Sequence, residues 1–88
     1  MLYTQKEFDL IMELGRELKK MYETASRNEQ VAMVHVFAIK NGETILKNKI
    51  KPVDIIKAAD LQESYKTEIS KGVKLSKFVT VREDIELP

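Results

Sequence analysis

The chain has 88 residues, enough for one domain spanning 1–88 and too few for a second. Apolar residues make up 43% and charged residues 33%, too apolar for a disordered chain. The net charge is +1 and there is no cysteine, which removes disulfides, thiolate metal sites and thiol nucleophiles together.

The opening Met1-Leu2-Tyr3-Thr4-Gln5-Lys6-Glu7 has neither the basic start nor the apolar stretch of a signal peptide. No apolar run approaches the roughly 18 residues of a membrane span. Cytoplasm is therefore the expected compartment, with no membrane partner. Thr4-Gln5-Lys6-Glu7 fits a capping box, with Thr4 accepting from the Glu7 backbone and Glu7 reaching back. Phe8, Ile11, Met12, Gly15, Leu18 and Tyr22 follow at spacings of three and four and share one face of a helix. Leu10, Leu14 and Met21 widen that face. The spacing predicts a long helix over Gln5–Thr24, broad enough in its apolar stripe to meet a core on one flank and a partner on the other. A homodimer through this helix is the expectation.

Ser26-Arg27-Asn28 is a loop with two candidate N-cap residues. The stretch 29–45 admits two readings. β-Branched content followed by Asn41-Gly42 suits a hairpin with a type I′ turn. A helix capped by Asn28 and ended by Gly42 at C′ suits it too, and is favoured because Val36-Phe37-Ala38-Ile39 is continuously apolar rather than alternating. His35, the only histidine, lies in this run with no acidic residue or cysteine at ligand spacing. That pattern fits a packed or hydrogen-bonded histidine better than a metal ligand or catalytic base.

Pro52-Val53-Asp54 starts another helix, since the missing proline N–H is unpaired in a first turn anyway. It ends near Ala59, with a tight turn at Asp60-Leu61. A further helix over 62–71 carries Tyr65 and Ile69, which continue a narrow apolar stripe from Leu61, and stops at Gly72; Tyr65 at that spacing reads as core. Phe78-Val79-Thr80-Val81 has strand character and would pair with a strand around 45–50. Residues 83–88 read as a frayed tail. The fold class is thus mainly α, with four to five helices, a long first helix and room for a short two-stranded β element.

The charges are unevenly spread. Residues 1–44 hold six basic and seven acidic side chains, residues 45–82 nine basic and four acidic, and residues 83–88 three acidic. A basic stretch of this kind suits a polyanion. It contains the bent pair of helices over 52–72, the second polar and basic on one side, which is a helix-turn-helix pattern. Residues 54–74 resemble the helix-turn-helix of the Cro and lambda-repressor superfamily. Gln62-Glu63-Ser64-Tyr65 stands where its recognition helix begins, and Gly72-Val73-Lys74 where it exits. The chain departs from that pattern at Asp60, in place of a usual glycine, and at Lys66, in place of an apolar residue. Val34-His35-Val36-Phe37-Ala38-Ile39-Lys40, Ala58-Ala59 and 64–75 are also similar to small bacterial and phage proteins with a helix-turn-helix-like domain, which implies the same architecture and supports the helix reading of 29–42.

These features predict a sequence-specific DNA-binding protein, a small transcriptional regulator of bacterial or phage type acting on double-stranded DNA. Gln62, Ser64, Lys66 and Thr67 are placed to reach base edges. Lys71, Lys74 and Lys77 are placed to meet phosphates, with Lys47, Lys49 and Lys51 joining them if their loop folds to the same side. The alternative is a helix-turn-helix-fold protein-interaction module, a phage or prophage modulator or inhibitor without DNA binding, suggested by Glu63 and Glu68 on the reading helix. No enzyme activity, catalytic residue, cofactor or metal is expected: Gly15, Gly42 and Gly72 form no phosphate loop, and the carboxylates lie on solvated helix faces.

Overall fold

The computed structural model describes residues 3–84, and among them every regular element is helical. Four α-helices run α1 (Gln5–Thr24), α2 (Gln30–Lys47), α3 (Pro52–Ala58) and α4 (Lys66–Leu75). Single 3₁₀ turns at Arg27–Glu29 and Glu63–Tyr65 precede α2 and α4. The predicted mainly α fold is present, with four helices and, among the described residues, no strand.

The first helix has the expected bounds and the expected capping box. Glu7 N donates to Thr4 Oγ1 at 3.1 Å, and Thr4 N donates to Glu7 Oε1 at 2.8 Å. Its Ile11, Leu14, Leu18 and Met21 are buried against α2 and α3. Most of the apolar stripe is therefore used within the chain's own core. Phe8, 51% exposed, is the large apolar side chain the helix leaves outside.

The helix reading of 29–42 holds and the hairpin does not form, but both ends differ from expectation. Asn28 does not cap α2; it sits in the 3₁₀ turn, where Ser26 Oγ lies 3.1 Å from its side-chain oxygen and 2.9 Å from Glu29 Oε1. At the other end α2 passes straight through Gly42 to Lys47, because Val34, Phe37, Ala38, Gly42 and Ile45 continue one buried face. The residue that turns the chain out of the helix is Lys49, just past the C-cap Asn48, with a left-handed φ of 54°. Lys49 N donates to Leu46 O at 3.1 Å and Ile50 N to Ile45 O at 3.0 Å, a Schellman ending with Ile50 buried beneath it. This consumes the segment around 45–50 that was expected to pair as a strand. Phe78-Val79-Thr80-Val81 accordingly has no strand partner and forms none; Phe78 closes a turn after α4 and is 82% exposed. Of the predicted frayed tail, Glu83 and Asp84 form a turn and 85–88 lie outside the described residues.

Nor does Gly72 end α4, which continues to Leu75. None of the three glycines has a positive φ. Each instead marks a place where two helices come too close for a side chain. A Cβ at Gly15 would lie 2.6 Å from Ala58 Cβ, between α1 and α3. One at Gly42 would strike the Ser76 side chain, and one at Gly72 would strike Ala38 Cβ and come within 2.9 Å of the His35 carbonyl oxygen. The pairs 38/72 and 42/76 show α2 and α4 running in the same direction, and theirs is the largest helix–helix interface. Phe37, Leu18, Met21, Ile55, Ile56, Ile69 and Val34 fill the single core that this contact helps to close. No helix of the described residues is long and apolar enough to cross a membrane.

Gly72→Ala tests the close contact. Helix propensity alone would stabilise α4 by about 1 kcal/mol, whereas forcing a methyl against the α2 backbone costs about 1–3 kcal/mol. The expected outcome is a net loss of up to about 2 kcal/mol, read as a fall in Tm of about 4–8 °C per kcal/mol by thermal denaturation.

Candidate functional site

The bent helix pair over 52–72 is present. Pro52 occupies the first turn of α3, and Asp54 follows it. Tyr3 ties that turn to the start of the chain: its hydroxyl donates to Asp54 Oδ2 at 2.8 Å and accepts from Lys51 N at 3.0 Å. The phenol thereby satisfies an N-terminal amide that no side chain of α3 itself caps. Burial raises the Tyr3 pKa above its ordinary value; the Lys51 N–H pulls it back, and the hydrogen bond to Asp54 raises it further.

Helix α3 ends in a second Schellman motif. Asp60 N donates to Lys57 O and Leu61 N to Ile56 O, both at 3.1 Å. Asp60 takes the left-handed position, φ 57°, where a glycine is the usual choice. The chain then extends through Gln62 and makes its 3₁₀ turn, so the second helix of the pair is α4, beginning at Lys66. The single helix expected over 62–71 is thus a 3₁₀ turn followed by a helix that starts four residues later and ends later too.

Ile69, Gly72 and Val73 form the buried side of α4. Opposite them, Thr67, Lys71 and Lys74 fall at spacings of four and three and share the outward line of the helix. All seven residues expected to meet DNA are exposed: Gln62 and Ser64 at the 3₁₀ turn, Lys66 and Thr67 in the first turn of α4, Lys71 and Lys74 further along, and Lys77 in the turn beyond. Lys66 Nζ lies 3.3 Å from Glu63 Oε1, and Lys71 Nζ lies 3.9 Å from Glu68 Oε1. Among the described residues Lys74 and Lys77 have no ion-pair partner. A surface groove of about 450 Å³ brings Lys51, Pro52 and Val53 together with Lys66, Thr67 and Ser70. Lys51 is therefore the lysine of the 47–51 segment that the fold delivers to the same side as α4.

Tyr65 faces inward as its spacing predicts, half-buried against α1. Its ring meets Tyr22 edge-on at 5.4 Å, and the two hydroxyls lie 2.8 Å apart. That hydrogen bond, and then burial, raises the Tyr65 pKa. His35 is hydrogen-bonded rather than packed in the core, with Nε2 2.6 Å from Glu68 Oε1. Neither partnership, nor that of Tyr3, is visible as a local motif: the pairs are 43, 33 and 51 residues apart.

Compared with known protein families, the chain matches the one described as HTH-like domain over residues 10–82, a span that includes α2, α3, α4 and most of α1. No curated protein and no solved structure gives a match.

The tyrosine contacts make stability sensitive to alkali. A phenol whose folded pKa is raised supports the fold fully below its unfolded value near 10, and that support is lost as pH rises through the folded value. Denaturation midpoints should fall above about pH 10, and the double variant Tyr3→Phe/Tyr65→Phe should flatten that fall. At neutral pH Tyr3→Phe alone should cost about 0.5–1.5 kcal/mol through the lost hydrogen bonds.

Proposed function

We propose that this chain, which belongs to the family of HTH-like domains, is a sequence-specific DNA-binding protein that lays α4 in the major groove of duplex DNA. Its role on this reading is that of a small transcriptional regulator of bacterial or phage type. One observation carries the proposal: Thr67, Lys71 and Lys74 form an exposed polar and cationic line on a helix whose opposite side is fixed against α2. A single helix fits the roughly 12 Å width of the major groove. Gln62, Ser64, Lys66 and Thr67 then reach for base edges, glutamine toward adenine and lysine toward guanine. Lys71, Lys74 and Lys77 take phosphates, with Lys51 as a fourth contact from the start of α3.

A second reading is favoured by the carboxylates. Glu63 and Glu68 lie beside Lys66 and Lys71 and lower the positive charge of α4. A helix-turn-helix fold with so mixed a surface also suits docking onto a partner protein, and fold alone does not choose between the two. The homodimer through Gln5–Thr24 belongs to the first reading, since paired half-sites make weak single contacts sufficient. Its remaining apolar surface on α1 is the patch around Phe8 and Met12.

An anisotropy titration with random-sequence duplex at about 50 mM and about 200 mM salt decides between the readings. DNA binding predicts measurable affinity at the lower salt and a log–log salt slope of about −3.6 per subunit for four phosphate contacts. Lys71→Glu/Lys74→Glu should abolish binding and leave helicity by circular dichroism unchanged. Absence of binding at low salt favours the interaction module, and intact binding in the double variant removes the site assignment. Light scattering at high protein concentration reads the dimer directly, and a strict monomer excludes it.

A further inference from the structure

The inference concerns Glu68 and rests on the DNA reading of α4. Glu68 stands between Thr67 and Lys71, the residues of the outward line, and is itself turned to the flank that faces α2. There its Oε1 is 2.6 Å from His35 Nε2. The Glu68 side chain is 24% exposed and that of His35 33%, so the pair lies at the rim of the helix interface rather than in open solvent. The same Oε1 is 3.9 Å from Lys71 Nζ, beyond hydrogen-bonding reach but close enough to compete. His35 sits at the close approach of α2 and α4, since its own carbonyl oxygen lines the space left by Gly72. Its ring is carried on backbone that cannot retreat from α4.

We infer that His35 is a positioning residue for nucleic-acid binding: it holds the Glu68 carboxylate against α2, which keeps an anion off the DNA-facing line of α4 and leaves the Lys71 ammonium for phosphate. Without His35, the favourable partner for Glu68 is Lys71 at i+3 on the same helix. That rearrangement would act twice against a polyanion. It neutralises one phosphate-contacting lysine, and it swings a negative charge toward the phosphates. Glu63 and Lys66 form the corresponding internal pair at the start of the helix, where no group from α2 intervenes among the described contacts. The two glutamates of the reading element therefore differ: Glu63 is answered by a lysine of its own turn alone, and Glu68 sits 2.6 Å from a residue of another helix and 3.9 Å from the lysine of its own turn.

The test is the duplex titration at about 50 mM salt applied to wild type, His35→Ala, Glu68→Gln and His35→Ala/Glu68→Gln, each melted to establish that it is folded. Wild type must bind; if it does not, the DNA reading falls, and this inference with it, before any variant is considered. Given binding, His35→Ala should raise Kd about two- to fivefold, the size of one solvent-screened charge interaction. The double variant should return to the wild-type Kd or below it, because the released carboxylate is gone. Glu68→Gln alone should bind as wild type or tighter. A His35→Ala protein with unchanged Kd overturns the inference. So does a double variant as weak as the single one, which would mean that His35 serves only to join the helices. If the alanine variant does not fold, His35→Leu fills the space without a donor and takes its place in the same comparison.

Discussion

The close approach of α2 and α4, where Ser76 closes on Gly42 and where Ala38 and the His35 carbonyl close on Gly72, is the constraint on which the remaining structure depends. It fixes the rotation of α4 about its own axis, because only one side of that helix is free of bulk. Ile69, Gly72 and Val73 must then face inward, which leaves Thr67, Lys71 and Lys74 no alternative to solvent. The polar line proposed to meet DNA is in this sense the reverse image of the glycine contact. The third glycine works likewise on α1 and α3, where Ala58 closes on Gly15. Helices joined in this manner exchange side-chain volume for proximity, and tolerate added methyl groups poorly.

Periodic signals in the sequence translated directly into structure. The capping box at Thr4 and the apolar spacing through Tyr22 define α1, since both depend only on neighbours within one or two turns. The bent pair over 52–72 was equally visible, from Pro52 in a first turn and from the Leu61, Tyr65, Ile69 stripe. Gly42 and Gly72 depart from their local signal. A glycine after an apolar run is the usual mark of a helix end, yet Gly42 and Gly72 sit within helices, while Lys49 and Asp60 occupy the left-handed turns. The distinction lies in what stands opposite each glycine in space, which is not written in its local neighbourhood. The expected strand at Phe78–Val81 failed for a related reason: its strand propensity is real, but the segment it needed is wound into the end of α2. Among site residues, the exposure of Lys66, Thr67 and Lys71 is legible from helical spacing. The delivery of Lys51 to the same groove, and the partners of His35 and Tyr3, were not, because each joins segments far apart in the chain.

Charge on α4 is better described as managed than as simply positive. Two of its lysine contacts are matched by nearby carboxylates, at 3.3 and 3.9 Å, while Lys74 and Lys77 carry no such partner among the described residues. The cationic character thus increases from the start of the helix to the turn beyond it. A gradient of this kind suits a helix whose beginning reads and whose end anchors, since phosphate contacts orient a protein on the duplex while base contacts discriminate. The mixed start of the helix is also what a protein partner would exploit, which is why affinity for duplex, and not fold, separates the two functional readings.

The shared direction of α2 and α4 has a kinetic corollary. Two helices joined by a short loop usually lie antiparallel and can zip together as soon as both exist. Here the chain must first travel back along the length of α2, through the two left-handed turns and α3, before residues 38 and 72 can meet. Closing that circuit costs entropy in advance of any reward. Barrier crossing therefore awaits a correctly turned 48–62 segment, and the non-local pairing of α2 with α4 makes folding slower than in an up-and-down bundle of equal length.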